Sequence, residues 1–438
     1  MQSGILTHRG YRPLAVLILA SFTVNLGFSA LSPLFPYIIL AVKGLLRELP
    51  ELTTETLSAH KGAVELGLLA AVFMAARAPT AGIVGFLSDA TGKKLVIAMG
   101  MALYLASSLG FLASNNLVLF MLFRGLQGAA SAMVWPVAEA YLAEITPRWS
   151  RGKAISAYTS SMLIAQMLGP SVGVAVYKLY ATLFNPADVL TALKAPIAFL
   201  AAMCSISLLT VLLLPPLEKS REAGRAKTGL RRVFRELGRM PGSAARSLKV
   251  IYGSGLVNGI AMGILNTAAI TYIIEVIVKD PLYLGIFFST FFLAALPSTL
   301  LAGYLSDRIR RRKPLVLAGY TLGNAVFLLI PFIKSYTVLL VGGAFLSLIF
   351  GLSTPTMRAL QADLTPRGVR GSVFGLQQLV FNAGTLIGAL AGGYLVKEYA
   401  ESTMTLLGHE LTGYVVPFWI AGVLGLLTTA FFALYVEE

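Results

Sequence analysis

The chain has 438 residues, 56% of them hydrophobic and only 13% charged, with a formal net charge of +15. So little charge cannot cover a soluble protein of this length, and apolar runs recur from end to end, so the class is membrane. The single cysteine, Cys204, excludes an internal disulfide and a multi-cysteine metal site. His8, His60 and His409 share no ligand spacing, so neither a metal nor a cofactor is expected.

Apolar length predicts twelve spanning helices, at 14–41, 62–86, 95–113, 117–142, 154–178, 193–214, 250–276, 283–305, 315–334, 336–360, 371–396 and 413–435. The first follows Arg9 and Arg12, is too long for a signal peptide, holds Asn25 and ends in "SPLFPY", Ser32 to Tyr37. The second carries Arg77, eight residues before Gly85 and so about 12 Å from its inner end by helix rise. The loop "GFLSDATGKK", Gly85 to Lys94, invites a phosphate-loop reading. That reading fails, because Leu87 stands where the first glycine must be and Lys94 where Ser or Thr must be. The fourth helix holds Arg124 in "RGLQG", about 12 Å below its outer end, then Met133, Trp135 and Glu139. The fifth holds "AQMLGPSVG", Ala165 to Gly173.

After the sixth helix, residues 215–249 carry ten Lys and Arg against three Glu. They are expected to form a cytoplasmic linker, in part an amphipathic helix on the membrane surface. The seventh helix supplies Asn258, Asn266 and Glu275, the tenth Phe350 and Arg358, the eleventh Gln378 and Asn382.

Lys and Arg set the orientation. With the N-terminus in the cytoplasm, 24 of the 35 fall on inner segments and eight on outer ones, while Arg77, Arg124 and Arg358 lie within helices. Both termini are therefore expected to be cytoplasmic, in a multi-pass protein of the cell membrane. The basic excess then faces anionic lipid, and a nucleic-acid partner has no further support.

The two halves repeat each other. "LSD" occurs at 87–89 and at 305–307, the second time within "GYLSDRIRRRK", Gly303 to Lys313. "AEITPRWSRG" (143–152) matches "ADLTPRGVRG" (362–371) at an offset of 219, and Pro136 matches Pro355 at the same offset. The expected organisation is a six-helix bundle over 1–214, the linker 215–249 and a second six-helix bundle over 250–438.

These residues resemble the major facilitator superfamily, over the whole chain. Its motif between helices 2 and 3 reads roughly G-x-L-x-D-R-x-G-R-K. Gly85, Leu87, Asp89, Gly92, Lys93 and Lys94 fit it, with Ala90 in place of arginine. The second copy keeps Gly303, Leu305, Asp307 and Arg308, with Arg310 in place of the second glycine. The resemblance implies an all-α membrane fold of twelve helices in two pseudo-symmetric halves, with substrate bound between them. It also implies a latch. Asp89 would face the helix start near Arg370–Gly371–Ser372, and Asp307 the start near Arg151–Gly152, each carboxylate drawn by a helix N-terminus. "RGLQG" is similar to the motif whose intramembrane arginine supports proton-linked transport. Gly169, Pro170 and Gly173 are similar to the antiporter motif of drug:proton exporters, from which Ala165 and Val174 depart.

The expected function is a secondary active transporter, not an enzyme, that exports hydrophobic or amphiphilic compounds by alternating access in exchange for protons. Its partners would be a small-molecule substrate, protons and lipid, and it would act as a monomer. Candidate lining residues are Asn25, Met133, Trp135, Gln166, Asn258, Asn266, Phe350, Gln378 and Asn382; each amide has a competing use as a helix–helix hydrogen bond. Among acids in helices, Glu139 is the first candidate for the proton and Glu65 the second. At the 219 offset Glu139 aligns with Arg358, which predicts a salt bridge between them. Two intramembrane arginines keep an organic-anion transporter open as the alternative, and a membrane sensor or channel is a third reading.

Overall fold

The computed structural model describes residues 8–48, 57–147, 150–216, 242–309, 312–365, 370–406 and 409–437. Twelve helices long and apolar enough to cross a membrane are present among them. The first crossing is α1 (His8–Leu31) and α2 (Phe35–Val42), joined by a 3₁₀ turn, Ser32–Leu34. A single helix was expected there. Pro33 and Pro36 lack the N–H groups an unbroken helix needs, and the 3₁₀ turn falls where they do. Then come α3 (Ala63–Thr91), α4 (Lys93–Ala113), α5 (Leu117–Ile145), α6 (Arg151–Phe184) and α7 (Val189–Leu212). The second set is α8 (Gly242–Tyr272) with a closing π turn, Ile273–Ile277, α9 (Pro281–Ile309), α10 (Lys313–Leu329), α11 (Tyr336–Asp363), α12 (Arg370–Tyr399) and α13 (Val415–Tyr435).

Local signals place several ends. The Asn116 side chain accepts from the Val118 N–H at 2.7 Å and starts α5. Asp188 does the same for α7 through Leu190. Asn185, at φ 39°, closes α6 in the left-handed conformation. Gly92 holds φ +100° between α3 and α4, a conformation that L side chains rarely adopt, so the second motif glycine has a backbone reason. α8 begins at Gly242, eight residues before the expected start. Leu248 and Ile251 there pack with Val316, Leu360, Val373 and Phe432, so the apolar face runs past the hydrocarbon length. Of the expected linker 215–249, residues 217–241 lie outside the described residues, and 242–249 belong to α8. A small antiparallel hairpin between α12 and α13, Thr403–Leu406 with His409–Thr412, was not foreseen.

The chain forms two compact units, residues 1–53 with 75–224 and residues 54–74 with 225–438. α3 is therefore divided between them, its first turns packing with the second unit. Gly67 approaches the Ala389 carbonyl and Gly393 approaches Ala63 and Val64. Gly67 on α3 and Gly393 on α12 are the glycines that permit this close approach.

Within each unit the packing repeats with the sequence. In the first, α1 packs on α6 and α7, and α4 on α5 and α7. In the second, α8 packs on α12 and α13, and α10 on α11 and α13. Large apolar side chains also point outward, Leu434 at 76% exposure and Ile83 at 67%, as lipid-facing positions require.

The antiporter-like glycines lie in the α1–α6 contact. A Cβ at Gly173 would fall on the Ala30 carbonyl, and one at Gly169 on Ser29. Gly388 and Gly392, at the 219 offset, make the same kind of contact with Ile260 and Ile264. Gly173→Val is thus expected to lower the thermal unfolding midpoint of the purified protein, by overpacking worth about 1–3 kcal/mol. Ala175→Val, at an exposed position on the same helix, should leave it unchanged.

Candidate functional site

In the first unit the candidates gather around Arg124. α5 carries the guanidinium between two rings of the first crossing, 5.0 Å from the Phe28 centroid and 4.9 Å from that of Phe35. Its Nη1 donates to Gln127 Oε1, one turn on, at 3.0 Å. The aromatic surface continues from Phe28 to Tyr104, 5.7 Å away edge-on, and from Tyr104 to Trp135, at 6.3 Å. α1, α4 and α5 thus build one wall, apolar and aromatic, with the Arg124 guanidinium fixed in it. Met133 is buried and Trp135 half-buried beside this wall.

Of the other candidates of this unit, Arg77 is near enough to act electrostatically on Tyr104. Asn25 is buried, and its amide donates to the Ser21 carbonyl at 2.8 Å. Arg77 on α3 and Gln166 on α6 are half-buried. Glu139 is exposed on α5.

The second unit uses several of its candidates internally. Asn258 accepts from Thr428 at 3.2 Å, and Asn324 donates to Thr429 at 3.3 Å. Asn258, Thr428 and Thr429 border a cavity of about 70 Å³ that Ser254, Tyr320 and Gln377 also line. Phe350 stacks on Phe327 at 5.9 Å within the core. Gln378 donates to Asn382 at 2.9 Å, an i to i+4 pair on α12, and Asn266 and Arg358 are exposed. For Asn25, Asn258 and Phe350 the internal partner is the one the structure supplies.

Of the latch residues, Gly92 and Lys93 are described. The side chains of Asp89, Asp307 and Arg308 and the surroundings of Gly85 and Gly303 lie outside the described residues. Lys93 is buried, and its ammonium meets Glu144 Oε1 at 2.5 Å. Arg312 meets Asp363 Oδ2 at 2.5 Å in the second unit. Both pairs span 51 residues, and each member is 219 from its counterpart. The offset read from Pro136 and Pro355 therefore marks these pairs as well. A second group missed in the sequence joins His60 to Glu275 across 215 residues. No periodicity connects those two positions.

The Major Facilitator Superfamily profile matches residues 17–251 and 251–438. An uncharacterised MFS-type transporter of Methanocaldococcus jannaschii is 30% identical over 158 residues, 36% of this chain and 36% of that protein. The quinolone resistance protein NorA of Staphylococcus aureus is 31% identical over 109 residues, 25% of this chain and 28% of that protein. The chain thus spans only 36% and 28% of the lengths of these curated relatives. A D-xylose-proton symporter structure superposes with a TM-score of 0.70 at 17% identity, over 97% of this chain and 98% of that one. That likeness shows the fold.

Proposed function

The chain belongs to the major facilitator superfamily, and from that membership we propose that it is a secondary active transporter. It works by alternating access and exports hydrophobic or amphiphilic organic compounds in exchange for protons. The observation that carries this reading is the aromatic wall of Phe28, Phe35, Tyr104 and Trp135 beside the Arg124 guanidinium. Flat apolar rings with few polar groups suit a bulky, partly apolar ligand. The local similarity to a quinolone resistance protein supports the same substrate class. On the distribution of Lys and Arg, both termini are cytoplasmic in the cell membrane.

A second reading has a specific observation behind it. Arg124 is a guanidinium deep in a spanning helix, and a guanidinium binds carboxylates and phosphates through two parallel hydrogen bonds. An organic anion is therefore the competing substrate class, with Arg77 as the second cation.

Flux into proteoliposomes separates these. A lipophilic cationic dye should move faster with a pH gradient than without one, and an organic phosphate should not move. Phosphate flux in place of dye flux installs the second reading. No flux of either, with gradient or without, removes both and leaves a sensor or channel.

The latch belongs to the same proposal. Asp89 is taken to hold a helix N-terminus when the cytoplasmic side is closed, and Asp89→Asn removes most of that attraction. Dye flux should fall while the thermal midpoint stays in place. Unchanged flux in a well-folded variant would remove the latch. Glu139 and Arg358 keep the proposed role of a cytoplasmic salt bridge, to be tested by the non-additivity of Glu139→Gln and Arg358→Gln.

A further inference from the structure

One bound set of titratable side chains has no part in the reading above, and all of it lies in the second unit. His60 sits in the 3₁₀ turn Ala59–Gly62 that leads into α3. Glu275 lies in the π turn that ends α8, Glu401 follows α12, and Tyr414 precedes α13. His60 Nδ1 is 2.6 Å from Glu275 Oε1, and the His60 backbone N–H donates to the same oxygen at 3.4 Å. His60 Nε2 is 3.0 Å from Glu401 Oε1. The Tyr414 phenol donates to Glu275 Oε2. The side chain of Glu401 is 73% exposed, whereas those of His60 and Glu275 are 10% and 14% exposed. A line of hydrogen-bonding groups thus runs from solvent to an enclosed carboxylate, and a buried phenol closes it.

The chemistry of each group fixes what the line can do. An ionised carboxylate only accepts hydrogen bonds, and a neutral imidazole has one nitrogen that donates and one that accepts. With a carboxylate oxygen at each ring nitrogen, every contact is satisfied only when the set holds one proton beyond the neutral ring. That proton sits on the ring or on one of the carboxyls. It has a direct path. A proton on Glu401 passes to Nε2 as the Nδ1 proton passes to Glu275 Oε1. One N–H bond forms while the other breaks, the tautomer reverses, and one proton has moved from the exposed carboxyl to the enclosed one. Tyr414 does not compete for this role. Burial first, and then the neighbouring Glu275 charge, hold its phenol protonated well above the usual tyrosine range.

We propose that Glu401, His60 and Glu275 form a proton-uptake site on the non-cytoplasmic side, with Glu275 as the group that holds the proton. The proposal rests on the proton-exchange reading and the orientation given above. It also assigns a consequence to the proton. Glu275 fastens the ring and the backbone of His60, and so the start of α3, to α8. Protonation removes the negative charge that both contacts use. α3 contributes residues to both units, so the proton acts on a helix that each of them shares. The other charged side chains on the elements packed here are Lys61 and Glu65 on the first turns of α3, Lys279 and Asp280 after the π turn, and Lys397 and Glu398 at the end of α12. Tyr272 stands edge-on to Tyr414 at 5.4 Å and donates to the Ile333 carbonyl at 2.7 Å.

Infrared difference spectroscopy on the purified full-length protein, between about pH 5 and pH 8 where an imidazole changes charge, tests the site without a substrate. The unsubstituted protein should show a carboxylic-acid C=O band that grows as pH falls, and Glu275→Gln should abolish it. Tyr414→Phe keeps the ring but removes a donor to the ionised carboxylate, so the band should appear at higher pH. In proteoliposomes, Glu275→Gln and His60→Gln should lose ethidium flux driven by a pH gradient and keep ethidium exchange at equal pH. If wild-type flux ignores the gradient while the band still depends on Glu275, proton exchange fails and the binding site stands. A titrating band unchanged in Glu275→Gln overturns the site. Should that variant fail to fold, a band unmoved in Tyr414→Phe overturns it equally.

Discussion

Arg124→Lys is expected to reduce transport roughly thirtyfold with the charge retained. The guanidinium is planar and lies against two rings at once, 5.0 and 4.9 Å from their centroids, while donating to Gln127 at 3.0 Å. An ammonium is a compact, strongly hydrated point charge and cannot keep all three contacts. A desolvated cation–π contact is worth about 2 kcal/mol, and a loss of that size at the barrier corresponds to roughly thirtyfold in rate. Arg124→Ala should be at least as severe. Phe28→Leu and Phe35→Leu should each produce a smaller loss, because each leaves one ring in place. Flux and thermal midpoint measured together separate the roles: a transport role lowers flux at constant midpoint, a packing role lowers both. If the substrate is an anion, its apparent affinity weakens along with turnover in Arg124→Lys. Full activity of Arg124→Ala with a cationic dye would remove Arg124 from substrate and proton handling alike.

What could be read in advance, and what could not, follows from the range over which each signal acts. Twelve crossings are a matter of apolar length, which is local, and all twelve are found among the described residues. Their ends are less local. Hydropathy starts the seventh crossing at Val250, but Leu248 packs with residues of four other elements, so α8 begins back at Gly242. The duplication was visible where residue identity survived, as at Pro136 and Pro355. The aligned stretches 143–152 and 362–371 already set Glu144 against Asp363, but Lys93 and Arg312 share only charge, so identity does not show that each acid has a basic partner 51 residues before it. Arg124 stood out because a charge inside an apolar run is conspicuous, yet its partners Phe28 and Phe35 looked like ordinary apolar residues. His60 and Glu275 have no counterpart at the 219 offset and no periodic relation. Only the folded chain brings them together.

The two duplicated ion pairs carry the last expectation, and helix dipoles set its sign. Lys93 is the first residue of α4 and Glu144 lies in the last turn of α5. Arg312 caps the start of α10 and Asp363 is the last residue of α11. Every one of these charges sits at the helix end whose partial charge has the same sign, where it is disfavoured. Each pair therefore offsets two unfavourable placements, and removing one member leaves the other facing a like-signed helix end. Lys93→Met and Glu144→Gln should each destabilise the protein, while the double variant should lose less than the two singles combined. The Lys93 side chain is only 9% exposed but Glu144 is 44% exposed. The single losses should thus fall between the roughly 1 kcal/mol of an exposed pair and the roughly 3 kcal/mol at the lower end for a broken buried pair. Arg312 and Asp363, at 22% and 58%, should show the same pattern with smaller losses. The exchange Lys93→Glu with Glu144→Lys is the sharper measurement, because it restores the pair and turns both dipole terms favourable. Its thermal midpoint should return to that of the unsubstituted protein or exceed it. A swapped protein as unstable as Lys93→Met, or strictly additive single losses, would show that these charges act separately, and the repeated offset would then reflect descent without a retained interaction.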